Sequence, residues 1–171
     1  GSSASYIDMS GSGSCLVFDA CNLTLNTTAS SQTIGLSVSV LVWNNTVATF
    51  SAATQSITVA SYCVLYWEKT NTTSAIAGTS PTALFTNAIG EVYLKGLDLS
   101  AIGSGNSVFA AGSNSVGWKI VENCKMGASF AFISGAFTMS KGSFLGVNCD
   151  SGDTNYAYTK QNYRGTITHE T

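Results

Sequence analysis

Charge is what this sequence has least of. Asp, Glu, Lys and Arg make up 9% of its 171 residues, where an ordinary soluble domain carries about 25%. The seven Lys and Arg are scattered singly and the net charge is −2. With no basic stripe, sequence-independent nucleic-acid binding is excluded as an expectation. His169 is the only histidine and Arg164 the only arginine, and the five cysteines (Cys15, Cys21, Cys63, Cys124, Cys149) contain no CxxC pair. A zinc site is therefore not expected, and the cysteines read as free buried thiols that pack like small hydrophobes. No apolar run approaches the ~18 residues that span a bilayer, so no membrane segment is expected. An i, i+3, i+4 apolar stripe is also missing, which argues against helices. Neither an initiator Met nor a signal peptide is present, and we expect a piece of a longer chain.

Hydrophobic residues nonetheless reach 44%, and the remaining polarity comes from Ser, Thr, Asn and 17 glycines. Such a chain is too apolar for disorder and suits β structure. Its length allows one domain with a real core.

An internal repeat organises it. Six segments share a short apolar strand, a turn-like triplet and a further apolar position: 14–25, 38–50, 62–72, 90–100, 115–126 and 142–152. Their turn positions fall at Ala20, Asn44, Glu68, Gly96, Asn123 and Asn148, with spacings of 24, 24, 28, 27 and 25. Between them runs a second apolar ladder of Ile34, Ile57, Phe85, Phe109 and Ile133, spaced by 23, 28, 24 and 24. Two strands thus recur in each period of about 25 residues, too short for a propeller blade of ~40. Parallel strands stacked ~4.8 Å apart in a coil account for both ladders. The expected fold is all-β: a right-handed parallel β-helix, or solenoid, of about six coils over residues 1–152, with 153–171 a C-terminal tail or the start of a further segment. Cys21, Cys124 and Cys149 should share an inward column. Asn44, Asn123 and Asn148 should share a turn column, because Asn tolerates the left-handed backbone of tight turns. The third rung lacks Gly or Asn at its turn, and the sixth has Gly146 where the others are apolar.

Chemistry is harder to find. Glycoside hydrolysis needs two carboxylates roughly 5–9.5 Å apart. Of the nine acids (Asp8, Asp19, Glu68, Glu91, Asp98, Glu122, Asp150, Asp153, Glu170), Asp19 and Glu122 occupy equivalent repeat positions, four rungs apart. Asp150 and Asp153 flank a DSGD turn, where side chains cap backbone N–H groups. No acid cluster faces Arg164, His169 stands near the terminus, and the Gly-Ser-Gly stretches at 11–13 and 103–105 read as turns between coils. No G-x-S-x-G elbow or Ser/His/Asp set occurs. The expectation is no catalytic residue, no cofactor and no metal. Trp43, Trp67 and Trp118 fall just before the turn. Facing inward or against another subunit they are core or interface, and facing outward they would make a weak glycan-binding strip. The sequons at Asn22, Asn26, Asn44 and Asn71 are what chance gives in a chain rich in Asn and Thr.

The stretch from Thr73 to Gly105, then ENCKMGAS (122–129) and DSGDTNYAYTKQNYRGTITHET (150–171), resembles a family of tailed-bacteriophage virion structural proteins. The resemblance extends over most of the chain and is clearest in GLDLSAIGSG and DSGDTNY. It implies a longer, β-helical, non-enzymatic protein on the exterior surface of a phage virion, decorating or cementing the capsid. The partners expected are other copies, in a closed trimer, and capsid or other virion proteins. A tail spike or fibre that binds or depolymerises host surface polysaccharide is the alternative, and a bacterial adhesin passenger a third.

Overall fold

In a computed structural model the described residues are 14–24, 32–34, 39–86, 88–103, 105–110, 114–115, 117–127, 131–134, 137–147, 149–151 and 161–167. All regular structure among them is strand. The first turn carries β1 (Ser14–Asp19), β2 (Asn22–Thr24) and β3 (Gln32–Ile34), and the second β4 (Ser39–Asn44), β5 (Val47–Phe50) and β6 (Ile57–Val59). Then come β7 (Cys63–Glu68), β8 (Ile76–Gly78) and β9 (Ala83–Phe85), followed by β10 (Glu91–Lys95), β11 (Asp98–Leu99) and β12 (Ser107–Ala110). After a short β13 (Asn114–Ser115) follow β14 (Lys119–Glu122), β15 (Lys125–Met126) and β16 (Ala131–Ser134). The chain closes with β17 (Phe137–Val147), β18 (Asp150–Ser151) and β19 (Gln161–Ile167).

Strands one turn apart pair in parallel. The long sheet runs β1-β4-β7-β10-β14-β17, flanked by β2-β5-β8, β11-β15-β18 and β3-β6-β9-β12-β16. The product is an all-β solenoid of about four turns, with strands from the first and last coils extending it. Within the expected C-terminal tail, β19 turns back and pairs antiparallel with β17.

Period-2 alternation decides which side chains enter the coil. In β7 the pattern is strict: Cys63, Leu65 and Trp67 are buried while Val64, Tyr66 and Glu68 point out. Register then stacks like positions, so Leu41, Leu65 and Val92 form one inward column and Trp43, Trp67 and Leu94 the next. Ile57, Phe85 and Phe109 line the opposite wall, the two phenylalanine rings stacked 5.3 Å apart. Each fully buried Leu, Ile or Phe contributes roughly 1.5–3 kcal/mol, which is what fixes register here.

Three expectations about register need correction. Asn44 pairs with Asp19 and Glu68, so the turn column is Ala20, Asn45, Gly96 and Asn123, with Lys69 between. Their positive φ values of 53°, 46°, 65° and 52° identify the left-handed position that the pattern had placed one residue early on the second rung. Asn148 lies outside the described residues. Ile34 pairs with Val59, so the residue beside Ile57 in the second ladder is Gln32. Trp118 sits three positions before Val121, the residue stacked in the Trp43 and Trp67 column, and so belongs to neither tryptophan's column.

Candidate functional site

The tryptophans that made a sugar-binding strip conceivable face the core. Trp43 and Trp67 are both buried, their ring centroids 5.0 Å apart at 75°. Outward on the same strands stands a stripe that the tryptophans had masked. Val17, Val42, Tyr66, Tyr93, Ile120 and Leu145 follow one another in register across the long sheet. Val17 is 53% exposed and Tyr66 42%, and the others are half-buried. The Tyr66 and Tyr93 rings stack at 4.6 Å and 15°, so each covers a face of the other and offers edges to solvent. Sugars stack on open ring faces, which makes this stripe a poor glycan platform and a good protein contact. Tyr93 also donates to Glu91 Oε2 at 2.7 Å, and burial together with that hydrogen bond raises its phenol above the ordinary value.

Beside the stripe runs the polar column Asp19, Asn44, Glu68, Lys95 and Glu122. Asp19 and Glu122 do share it, and Glu68 joins them, which the one-residue shift at the third rung had hidden. Two rungs separate successive acids, roughly 10 Å at the strand spacing and past the span two carboxylates need for glycoside hydrolysis. Lys95 lies between Glu68 and Glu122 and approaches Glu68 Oε1 at 3.8 Å, an exposed pair worth little.

The turn column opens into a cleft of about 490 Å³ between the third and fifth rungs. The third rung carries Lys69 at the turn position, and the chain bulges out through Thr70, Asn71 and Thr72 before rejoining the sheet. Thr70 N and Oγ1 bond to Asn45 Oδ1, and Asn71 Oδ1 accepts from Thr73, so the bulge is anchored. Gly96 forms the floor: its φ is +65°, and any Cβ there would collide with the Lys69 carbonyl. Asp98, Asn123 and Lys125 close the far side. Lys69 Nζ donates to Thr73 Oγ1 at 3.0 Å, and burial lowers its affinity for a proton against the opposing charge of Asp98. Burial pushes Asp98 upward, but hydrogen bonds from Ser100 and the nearby Lys125 outweigh it and hold the carboxyl below its ordinary value.

Three further titratable positions are structural surprises. Lys119 occupies the inward column of Leu41, Leu65 and Val92 and is 0% exposed, its amine bonded to the Gly90 carbonyl and to Gly117 O at 3.4 Å. Burial brings it down to about 7, opposed by Glu91. Cys124 and Cys149 are buried free thiols that stack on neighbouring rungs, Cys124 directly after the turn residue Asn123; the hydrogen bond to Cys149, then burial, holds Cys124 far above the usual thiol range. Cys63 is buried too, whereas Cys21 is half-buried and Cys15 is exposed on the outer face, which corrects the reading of all five as buried.

The chain matches no family model, no curated protein and no solved structure. Among the described residues no three His, Cys, Asp or Glu side chains gather as metal ligands, and no helix is long and apolar enough to cross a membrane. His169, Asp153 and the Gly-Ser-Gly stretch at 11–13 fall outside the described residues.

Proposed function

We propose that the chain is a structural, non-catalytic solenoid whose outer sheet face is built to be covered by protein, and that it stands on the exterior of a phage virion as a capsid decoration or cement protein. One observation carries this reading: the apolar stripe from Val17 to Leu145 along the outside of the long sheet. Surfaces of isolated soluble proteins rarely keep an apolar patch continuous over so many strands. Low charge, a stiff stacked core and the resemblance of the 96–105 and 150–156 segments to tailed-phage virion proteins supply the setting. The preferred assembly is a closed homotrimer, with the stripe against other copies or the shell. In finer detail the coil is right-handed, supported by the strong right-handed preference of parallel crossover connections, with about six rungs over residues 1–152, supported by the six repeated segments.

The open cleft over Gly96 favours a second reading, a tail spike or fibre domain that binds host surface polysaccharide. Cryo-electron imaging of the parent particle with this chain labelled separates the two. Density spaced regularly over the capsid shell is the expected result, and density confined to the tail tip overturns the decoration role.

A further inference from the structure

We propose that the cleft floored by Gly96 is a binding site for an acidic saccharide, in which Lys69 receives a sugar carboxylate and the surrounding Thr and Asn side chains receive its hydroxyls. The inference stands whichever position on a particle the chain occupies.

Lys69 is the first reason. Only 3% exposed, it lines the cleft, where Thr73 Oγ1 accepts one of its hydrogen bonds. An ammonium carries three donors, and one hydroxyl is a thin exchange for the water that burial removes. A carboxylate in the cleft completes that shell with a charge-assisted bond. The second reason is that the opening is fixed by backbone. Gly96 holds a left-handed φ against the Lys69 carbonyl, so no side chain can grow there to close the floor.

The third reason is the character of the walls. Asn45 pins Thr70, and Thr73 pins Asn71, which leaves the carboxamide NH₂ of Asn71 and the Thr72 hydroxyl on the exposed rim. Opposite, Lys125 is 63% exposed and its amine reaches Asp98 Oδ2 at 3.4 Å. Asp98 is thereby engaged by Ser100 and Lys125, and the two lysines leave the lining one positive charge in excess. At about 490 Å³ the cleft is in the range of small-ligand sites and far larger than a single inorganic anion fills.

The test is calorimetric titration of the full chain with a galacturonate trisaccharide, a neutral maltotriose and inorganic phosphate. Two variants accompany it: Thr72→Tyr, which fills the mouth from an exposed position, and Lys69→Met, which keeps the stem and removes the charge. The acidic trisaccharide is expected to bind at least tenfold more tightly than maltotriose or phosphate. Lys69→Met should lower that affinity at least tenfold, and Thr72→Tyr should abolish binding with the thermal unfolding midpoint unchanged. The proposal is overturned if the galacturonate fails to bind or if phosphate binds as well. It also falls if maltotriose binds equally, or if Thr72→Tyr binds like the parent. Should Lys69→Met not fold, Lys125→Gln and Thr72→Tyr decide the matter alone.

Discussion

Trp67 Nε1 donates to the Thr46 carbonyl at 3.0 Å, one rung below, while the indole N–H of Trp43, whose ring meets that of Trp67 edge to face, has no acceptor among the described residues. Two identical side chains in one inward column therefore have different energetics. Trp67→Phe leaves a buried carbonyl without its donor and should cost about 1–3 kcal/mol beyond the lost contact area. Trp43→Phe loses similar area but also removes an unpaired buried donor, so its net cost should be smaller. Urea unfolding followed by circular dichroism distinguishes them, and equal costs would show that the Thr46 bond is energetically idle.

Lys119 makes stability depend on pH in an uncommon direction. Its folded-state value is about 7 against 10.5 when unfolded. Below pH 7 the amine is charged in both states and the full penalty of burying it is present. Between pH 7 and 10.5 the unfolded chain holds the proton more tightly, so stability rises with pH by an amount on the order of a few kcal/mol. Lys119→Met should flatten this slope and stabilise the protein at pH 7. Unfolding midpoints measured across that range check both statements, and an unchanged slope in the variant would assign it elsewhere.

The turn column sorts substitutions by backbone geometry. Asn123, at φ 52°, should tolerate Gly nearly without loss, while Asn123→Val should cost about 1–2 kcal/mol or more for a β-branched residue held left-handed. Gly96→Ala adds a collision with the Lys69 carbonyl to that strain and should be the most damaging of the three. Thermal melts rank them, and a mild Gly96→Ala would mean the third and fourth rungs can separate.

The outward stripe should matter for assembly more than for folding. Tyr66 is 42% exposed, so Tyr66→Glu is expected to leave the melting midpoint nearly unchanged while shifting sedimentation from the proposed trimer to monomer. A variant that assembles like the parent would remove the stripe from the interface.

Thiol chemistry reads the same map. Cys15 is exposed, whereas Cys63, Cys124 and Cys149 are buried. A thiol-reactive dye should label Cys15 rapidly in the native protein and the buried cysteines only on unfolding. Fast native labelling of Cys124 or Cys149 would show that the last coils open readily.

Much of the fold was legible in residue spacing, because a solenoid repeats its chemistry at the period of its coil. The scarcity of helix patterning, the two apolar ladders recurring about every 25 residues and the recurring Gly and Asn turns suffice for parallel stacked strands. Register was less legible. Asn44 and Asn45 are adjacent and chemically identical, and it takes the left-handed φ of Asn45 and its hydrogen bond to Glu68 O to show which one turns. The outer stripe was hidden for a similar reason: in CVLYWE nearly every residue is apolar, so the strand gives no sign of which parity is inside. Once Trp67 is known to point inward, Tyr66 must point out.

The sequence by itself determined the architecture, since strand period, turn residues and apolar content act within a single coil and recur from one coil to the next. Tertiary structure alone decided the surfaces. The alignment of Tyr66 with Tyr93, of Glu68 with Asp19 and Glu122, and of Lys69 over Gly96 joins residues about a coil or more apart. A shift of one residue in stacking would turn each of them to the other face.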